Sequence, residues 1–109
     1  MRKITIAALC MALCACAEYP PGEDPGGLQL QAAATPVMQA IQKFMAENSS
    51  LPRTLQELVP EYIKQLPPEP KLVYDPQDNA VLFTYTQQGS NGSTVTCTAY
   101  IGQTNWTCQ

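Results

Sequence analysis

The C-terminal stretch TVTCTAYIGQTNWTCQ, Thr94 to Gln109, constrains the fold most strongly, because it alternates apolar and polar residues and carries Cys97 and Cys108. If these cysteines pair, a hairpin register centred on Gly102-Gln103 follows. That register puts Val95, Cys97, Ala99, Ile101, Trp106 and Cys108 on one face, and Thr94, Thr96, Thr98, Tyr100, Asn105 and Thr107 on the other. Strand side chains alternate with period two, so a slip of one residue would scramble both sets. The clean separation supports hairpin and disulfide together. Gly102 at the first central position would suit a type II′ turn. A four-residue loop keeps the same faces and avoids the wide hydrogen-bonded pairing that strains a bridge.

A second hairpin is expected over Lys71 to Gln87, turning at Pro76-Gln77-Asp78-Asn79. Pairing Asp75 with Ala80 places Leu72, Tyr74, Val81, Phe83 and Tyr85 on one face, and Val73 and Leu82 on the other. Gln88 to Ser93 reads as a polar loop between the hairpins.

Helix is confined to the other half of the domain. Leu30, Ala34, Val37, Ile41 and Phe44 recur at spacings of four and three, with Met38 and Met45 beside them, which makes one apolar helical face. Thr35-Pro36 would serve as cap and first helical residue. Alternatively the helix begins near Leu28 and bends at Pro36. It should end around Asn48-Ser49-Ser50. Thr54 and Glu57 then have capping-box spacing for a short turn, and Pro60 suits the start of another. Leu66-Pro67-Pro68-Glu69-Pro70 must be extended, because a residue that precedes proline is pushed out of the α region.

The first residues are of a different kind. Arg2 and Lys3 precede a short apolar run from Ile4 that closes on Leu13-Cys14-Ala15-Cys16. The run is shorter than the ~20 apolar residues a spanning helix needs. The arrangement resembles the signal peptide and lipobox of bacterial lipoproteins. That resemblance implies cleavage before Cys16, acylation of its thiol and new amine with chains such as palmitate, and anchoring at the outer membrane facing the periplasm, since Ala17 rather than Asp follows. A plain secretory peptide cut after Ala15 or Ala17 is the alternative. Residues 1–15 are thus expected to be the signal peptide and 16–27 a lipidated flexible tether, since AEYPPGEDPGG is too rich in Pro, Gly and acid to bury apolar surface. Such a tether would reach about 17–20 Å. Residues 28–109 would form the domain.

The chain carries six cations and nine acids, a net charge of −3. Without Arg2 and Lys3, only Lys43, Arg53, Lys64 and Lys71 face the nine acids, and they form no basic stripe of the kind nucleic acid attracts. No nucleic-acid partner is expected, and membrane attachment would rest on Cys16. Once Cys10 and Cys14 leave with the signal and Cys16 is acylated, Cys97 and Cys108 remain, and an oxidising periplasm favours their pairing.

The stretch FMAENSSLPRTLQELVPEYIKQLPPEP, Phe44 to Pro70, resembles the post-helix segment of type II secretion pseudopilins and related type IV pilin-like heads. The residues that carry the likeness are Leu55 and Leu58, Tyr62-Ile63 and the exit Leu66-Pro67-Pro68-Glu69-Pro70. The resemblance implies a helix, a turn-rich connector, a small antiparallel sheet and a disulfide near the end. The chain departs from those families in lacking a prepilin cleavage site and a long apolar filament helix. A lipobox stands there instead, as if a pilin-like head had moved onto a lipid anchor.

Catalytic chemistry is poorly supplied. There is no histidine, hence neither the commonest general base nor the commonest transition-metal ligand. Ser49, Ser50, Ser90 and Ser93 occupy turn positions with no base pattern nearby. Asp75, Asp78 and Asn79 offer oxygens to Ca²⁺, but without EF-hand spacing and in an ordinary turn composition. Glu57 and Glu61 read as cap and surface charge rather than an acid/base pair. Trp106 is expected inward, opposite Ala99, as a core anchor; a ligand-stacking role is the alternative.

The expectation is therefore an α+β domain: one helix packed on a small antiparallel sheet of about four strands, stapled by Cys97–Cys108. No cofactor and no enzymatic activity are expected. The expected function is that of a non-catalytic protein-interaction lipoprotein with an envelope protein partner, accessory to a secretion or pilus-like assembly. The alternative is a ligand-binding or inhibitor lipoprotein acting on an envelope enzyme.

Overall fold

The computed structural model describes residues 19–88, 92–103 and 105–109. Cys16 and the signal-peptide expectation lie outside those residues. One helix, α1 (Pro25–Asn48), is followed by a 3₁₀ turn (Leu55–Leu58) and strands β1 (Val73–Asp75), β2 (Ala80–Thr86), β3 (Thr94–Tyr100) and β4 (Thr107–Cys108). The strands form one antiparallel meander in the order β1-β2-β3-β4. The expected α+β class, with a helix on a four-stranded antiparallel sheet and a disulfide near the end, is observed.

The helix begins earlier than either expected start. Asp24 is its N-cap and Pro25 its first residue, and the Asp24 carboxylate accepts the Gly27 N–H at 3.2 Å. An acidic N-cap and a proline at N1 supply what a helix start needs: an acceptor for an orphan donor and a preset φ. The tether boundary at Gly27 is corrected accordingly. Composition argued for flexibility, yet Gly22, Asp24 and Gly27 are buried. Pro36 sits inside the helix and does not end it. Its ring and Ala32, whose carbonyl loses its usual partner, lie on the exposed side, where water can take over the lost bond. Ser49, at φ 59°, terminates α1 and donates its N–H to the Met45 carbonyl at 2.9 Å.

Register follows the pattern of alternation. Asp75 pairs with Ala80 and Tyr74 with Val81. Val81, Phe83 and Tyr85 lie opposite Ala99, Cys97 and Val95. Cys97 pairs with Cys108 and is bonded to it. Thr96 and Gln109 exchange both backbone hydrogen bonds, at 2.8 and 2.9 Å, which leaves the cysteines at the adjacent narrow pairing, their Cα atoms 4.0 Å apart. The turn differs from the II′ expectation. Gln103 N–H reaches the Tyr100 carbonyl at 2.9 Å, so Gly102, at φ +97°, is the third residue of the turn. The hairpin opens beyond it, because the Ile101 N–H is taken by the Asn79 carbonyl of the other hairpin at 2.7 Å.

The inner sheet face meets the apolar stripe of α1. Val37, Met38, Ala40 and Ile41 pack with Leu55, Leu58, Val81 and Ala99. Ala34 packs with Phe83, Val95 and Cys97. Trp106 touches both clusters, edge-on to Phe83 at 5.2 Å, and donates to Thr35 Oγ1 at 3.3 Å. It packs on the core as expected, but half-buried and from the loop before β4, with no strand pairing to Ala99. The outer face pairs Thr84 with Thr96, Thr86 with Thr94 and Thr98 with Thr107, cross-strand contacts that suit a solvated sheet surface.

Candidate binding groove

Two places concentrate polar groups. The first holds the N-terminal segment to the sheet. The Tyr85 hydroxyl donates to Asp24 at 2.5 Å, Gln87 Nε2 donates to the Tyr19 carbonyl at 2.8 Å, and the Gly22 N–H donates to Gln87 Oε1 at 3.3 Å. Gln31 Nε2 closes the group by donating to the Gly22 carbonyl at 2.7 Å. Burial pushes the Asp24 carboxyl up, but the hydrogen bonds from Tyr85 and from the backbone of Gly27 and Gln88 outweigh it and hold the group below the usual carboxylate range. Burial, and then the Asp24 carboxylate, push Tyr85 up to about 12. Gly22, at φ +83°, lies so close to Cys108 Sγ that a side chain there would collide with it. These interactions serve folding. A carboxylate wholly shielded from solvent, with its donors supplied by the protein, is a cap and a latch.

The second is an open groove of about 420 Å³ between the 3₁₀ turn and the Leu66–Lys71 segment, which is not extended throughout as expected: it bends over residues 68–70, where the Glu69–Pro70 peptide is cis. Buried Leu55 and Leu58 tie the turn to α1. The turn begins where the Thr54–Glu57 spacing placed it, with a different bond. Thr54 makes no side-chain cap, and Glu57 Oε1 instead accepts the Arg53 N–H at 2.8 Å. Tyr74 on β1 donates its hydroxyl to the Pro52 carbonyl at 2.6 Å, joining sheet to connector beneath the groove. Burial, reinforced by the Glu57 charge, pushes that phenol up, so it remains a neutral donor.

The groove has an apolar floor of Leu55, Leu66, Pro70 and Leu72, with Arg53 and Lys71 as its cations and no carboxylate in its lining. Neither the guanidinium nor the ammonium has a partner among the described residues. In sequence these two cations look scattered, and the connector brings them to one groove. The bent wall contains three prolines, which have no N–H to donate, and residues 66–71 make no backbone hydrogen bonds within the described chain. Their carbonyls are acceptors without an internal donor.

The other sequence candidates fall elsewhere. Asp75 Oδ1 accepts the N–H groups of Gln77 and Asp78 at 3.1 and 3.2 Å, so its carboxylate organises the turn with Asp78 and Asn79. Asn79 takes φ 55°, a conformation its short amide side chain tolerates. Among the described residues, no group of three or more His, Cys, Asp or Glu gathers to hold a metal. Glu57 and Glu61 are both exposed and share no cleft.

The fold and groove thus define a small disulfide-stapled α+β domain with an open, cation-edged apolar groove. Compared with protein families, curated proteins and solved structures, the chain matches none.

Proposed function

We propose that this chain is a lipoprotein anchored through Cys16 in the bacterial envelope, and that its domain is a non-catalytic module that binds an envelope protein. The observation that carries the binding role is the groove, with its apolar floor and two cations that have no partner among the described residues. The anchor rests on Arg2-Lys3, the short apolar run and Leu13-Cys14-Ala15-Cys16. Among the described residues no helix is long and apolar enough to cross a membrane. Several acyl chains at ~0.8 kcal/mol per buried CH₂ give a lasting anchor. Because packing already begins at Tyr19, an acylated Cys16 would hold the domain against the bilayer surface, where a flexible tether would have let it range. An accessory place in a secretion or pilus-like assembly rests on the likeness of Phe44–Pro70 to pseudopilin heads and on the same order of elements.

A second reading, a ligand-binding lipoprotein, has one observation in its favour. A smaller cavity of about 150 Å³ lies between α1 and the second hairpin, where Trp106 meets Gln39, Gln42 and Gln103.

Two measurements test the proposal. Intact mass of the membrane-extracted protein should start at Cys16 with added acyl chains; a soluble, unacylated chain refutes the anchor. A photo-crosslinking residue at Gln56 in the groove, or at Thr84 on the outer sheet face, should capture an envelope protein in cells. No adduct from either position refutes the interaction role.

A further inference from the structure

We infer that the groove between the 3₁₀ turn and Leu66–Lys71 receives an acidic, extended peptide segment whose carboxylates meet Arg53 and Lys71 and whose apolar side chains enter the floor. The inference rests on the interaction reading above and names the chemistry of its partner.

Three features of the groove select this occupant. The first is charge. In a chain whose acids outnumber its cations nine to six, the groove lining holds two cations and no acid, although Glu57, on the Arg53 N–H, and exposed Glu69 stand beside it and offset part of that charge. A ligand with carboxylates is attracted there and repelled by much of the remaining surface. The second is shape. Sites for small molecules enclose most of their ligand, whereas this groove is open, which suits a chain laid across it. The third is hydrogen bonding. Pro67, Pro68 and Pro70 give the wall no donors at those positions, while the carbonyls of 66–71 have no donor among the described residues. A strand added in register would need donors and acceptors alternating along the wall. An extended or polyproline-like peptide needs only acceptors for its own N–H groups, together with pockets for its side chains.

The apolar floor also excludes simple counter-ion binding. Leu55 and Pro70 are buried, while Leu66, Leu72 and Tyr74 are half-buried. A Leu or Pro side chain set between two carboxylates would cover the exposed part of these residues. An isolated inorganic anion would not.

The probe is a fluorescein-labelled peptide of sequence Glu-Leu-Pro-Glu-Leu-Pro-Glu, titrated with the full chain and followed by anisotropy and by amide shifts. Its counterparts replace Glu with Gln or with Lys. Saturable binding is expected for the Glu peptide, with shifts concentrated at residues 53–56 and 66–74. The Gln peptide, and the R53Q/K71Q double variant toward the Glu peptide, should each bind about three- to ten-fold more weakly, and the Lys peptide should not bind. Both substituted side chains are exposed, so the variant should keep its fold, which its amide spectrum checks.

Equal binding of the Glu and Lys peptides, shifts outside the groove, or no saturation at about 1 mM would each overturn the inference. So would groove shifts produced by anionic vesicles, or by self-association in place of peptide. Adducts from Thr84 but not Gln56 would sink the groove while leaving the interaction role standing; adducts from neither would sink both.

Discussion

Replacing Tyr85 with Phe removes one hydroxyl and isolates the energy of the N-terminal latch. The ring stays, and so does its packing beside Phe83, at a centroid distance of 6.1 Å. What is lost is the 2.5 Å bond to a carboxylate that has no solvent exposure. A hydrogen bond to a charged group contributes about 1.5–3 kcal/mol. For a domain of this size each kcal/mol moves the midpoint by roughly 4–8 °C, so Y85F should melt roughly 6–24 °C lower at pH 7. The loss should also depend on pH. Asp24 is depressed in the folded protein, so its contribution is complete above the unfolded value of about 3.9 and disappears as pH falls through the folded value. Tyr85 is raised to about 12, so its contribution is complete below about 10 and is lost as pH climbs toward 12. The gap between wild type and Y85F should therefore be widest from about pH 4 to 10 and narrow on both sides. Thermal melts followed by circular dichroism from pH 3 to 11 would show it. A gap under about 2 °C at pH 7, or one independent of pH, would refute the latch.

Two further substitutions probe the same end of the domain. Gly27→Ala should destabilise the protein by about 1–3 kcal/mol in urea titration, although Ala is the better helix former by about 1 kcal/mol, because the added Cβ would strike the Tyr85 hydroxyl and Asp24. Replacing Cys97 and Cys108 together by Ala should cost about 3 kcal/mol through the freed short loop and lower the melting midpoint by roughly 12–24 °C. β4 has only two strand residues, so their amides should exchange first in the variant.

Much of the fold was legible because it depends on local alternation. The faces of β2 and β3, the Asp75–Ala80 register and the Cys97–Cys108 pairing all follow from period-two patterning, which tolerates no slip. The helix start was legible too, in Asp24-Pro25, but the glycines and acids around it pointed to a tether. Gly26 and Gly27 are poor helix formers in isolation. At Gly27 the lack of a side chain is what lets Tyr85 reach Asp24, and that need belongs to a residue far away in the chain. The turn at Gly102 was misplaced for a similar reason, since its geometry answers to the Ile101–Asn79 bond between hairpins.

The candidate site was the least legible part. Arg53 and Lys71 carry no mark of a common role in sequence, and periodicity is silent about a connector without regular structure. The prolines keep Leu66–Pro70 out of regular helix, since ring closure and the clash with the preceding residue act locally, but the bend over 68–70 was not legible in them. Where that segment lies was decided by distant contacts: the Tyr74 hydroxyl on Pro52, and Leu55 and Leu58 under α1. Local sterics and alternation acted through the sequence alone to set the helix stripe, the strand faces and the disulfide. Only tertiary packing could bring two cations and an apolar floor to one groove, because that meeting depends on which surfaces the core brings together and not on any spacing along the chain.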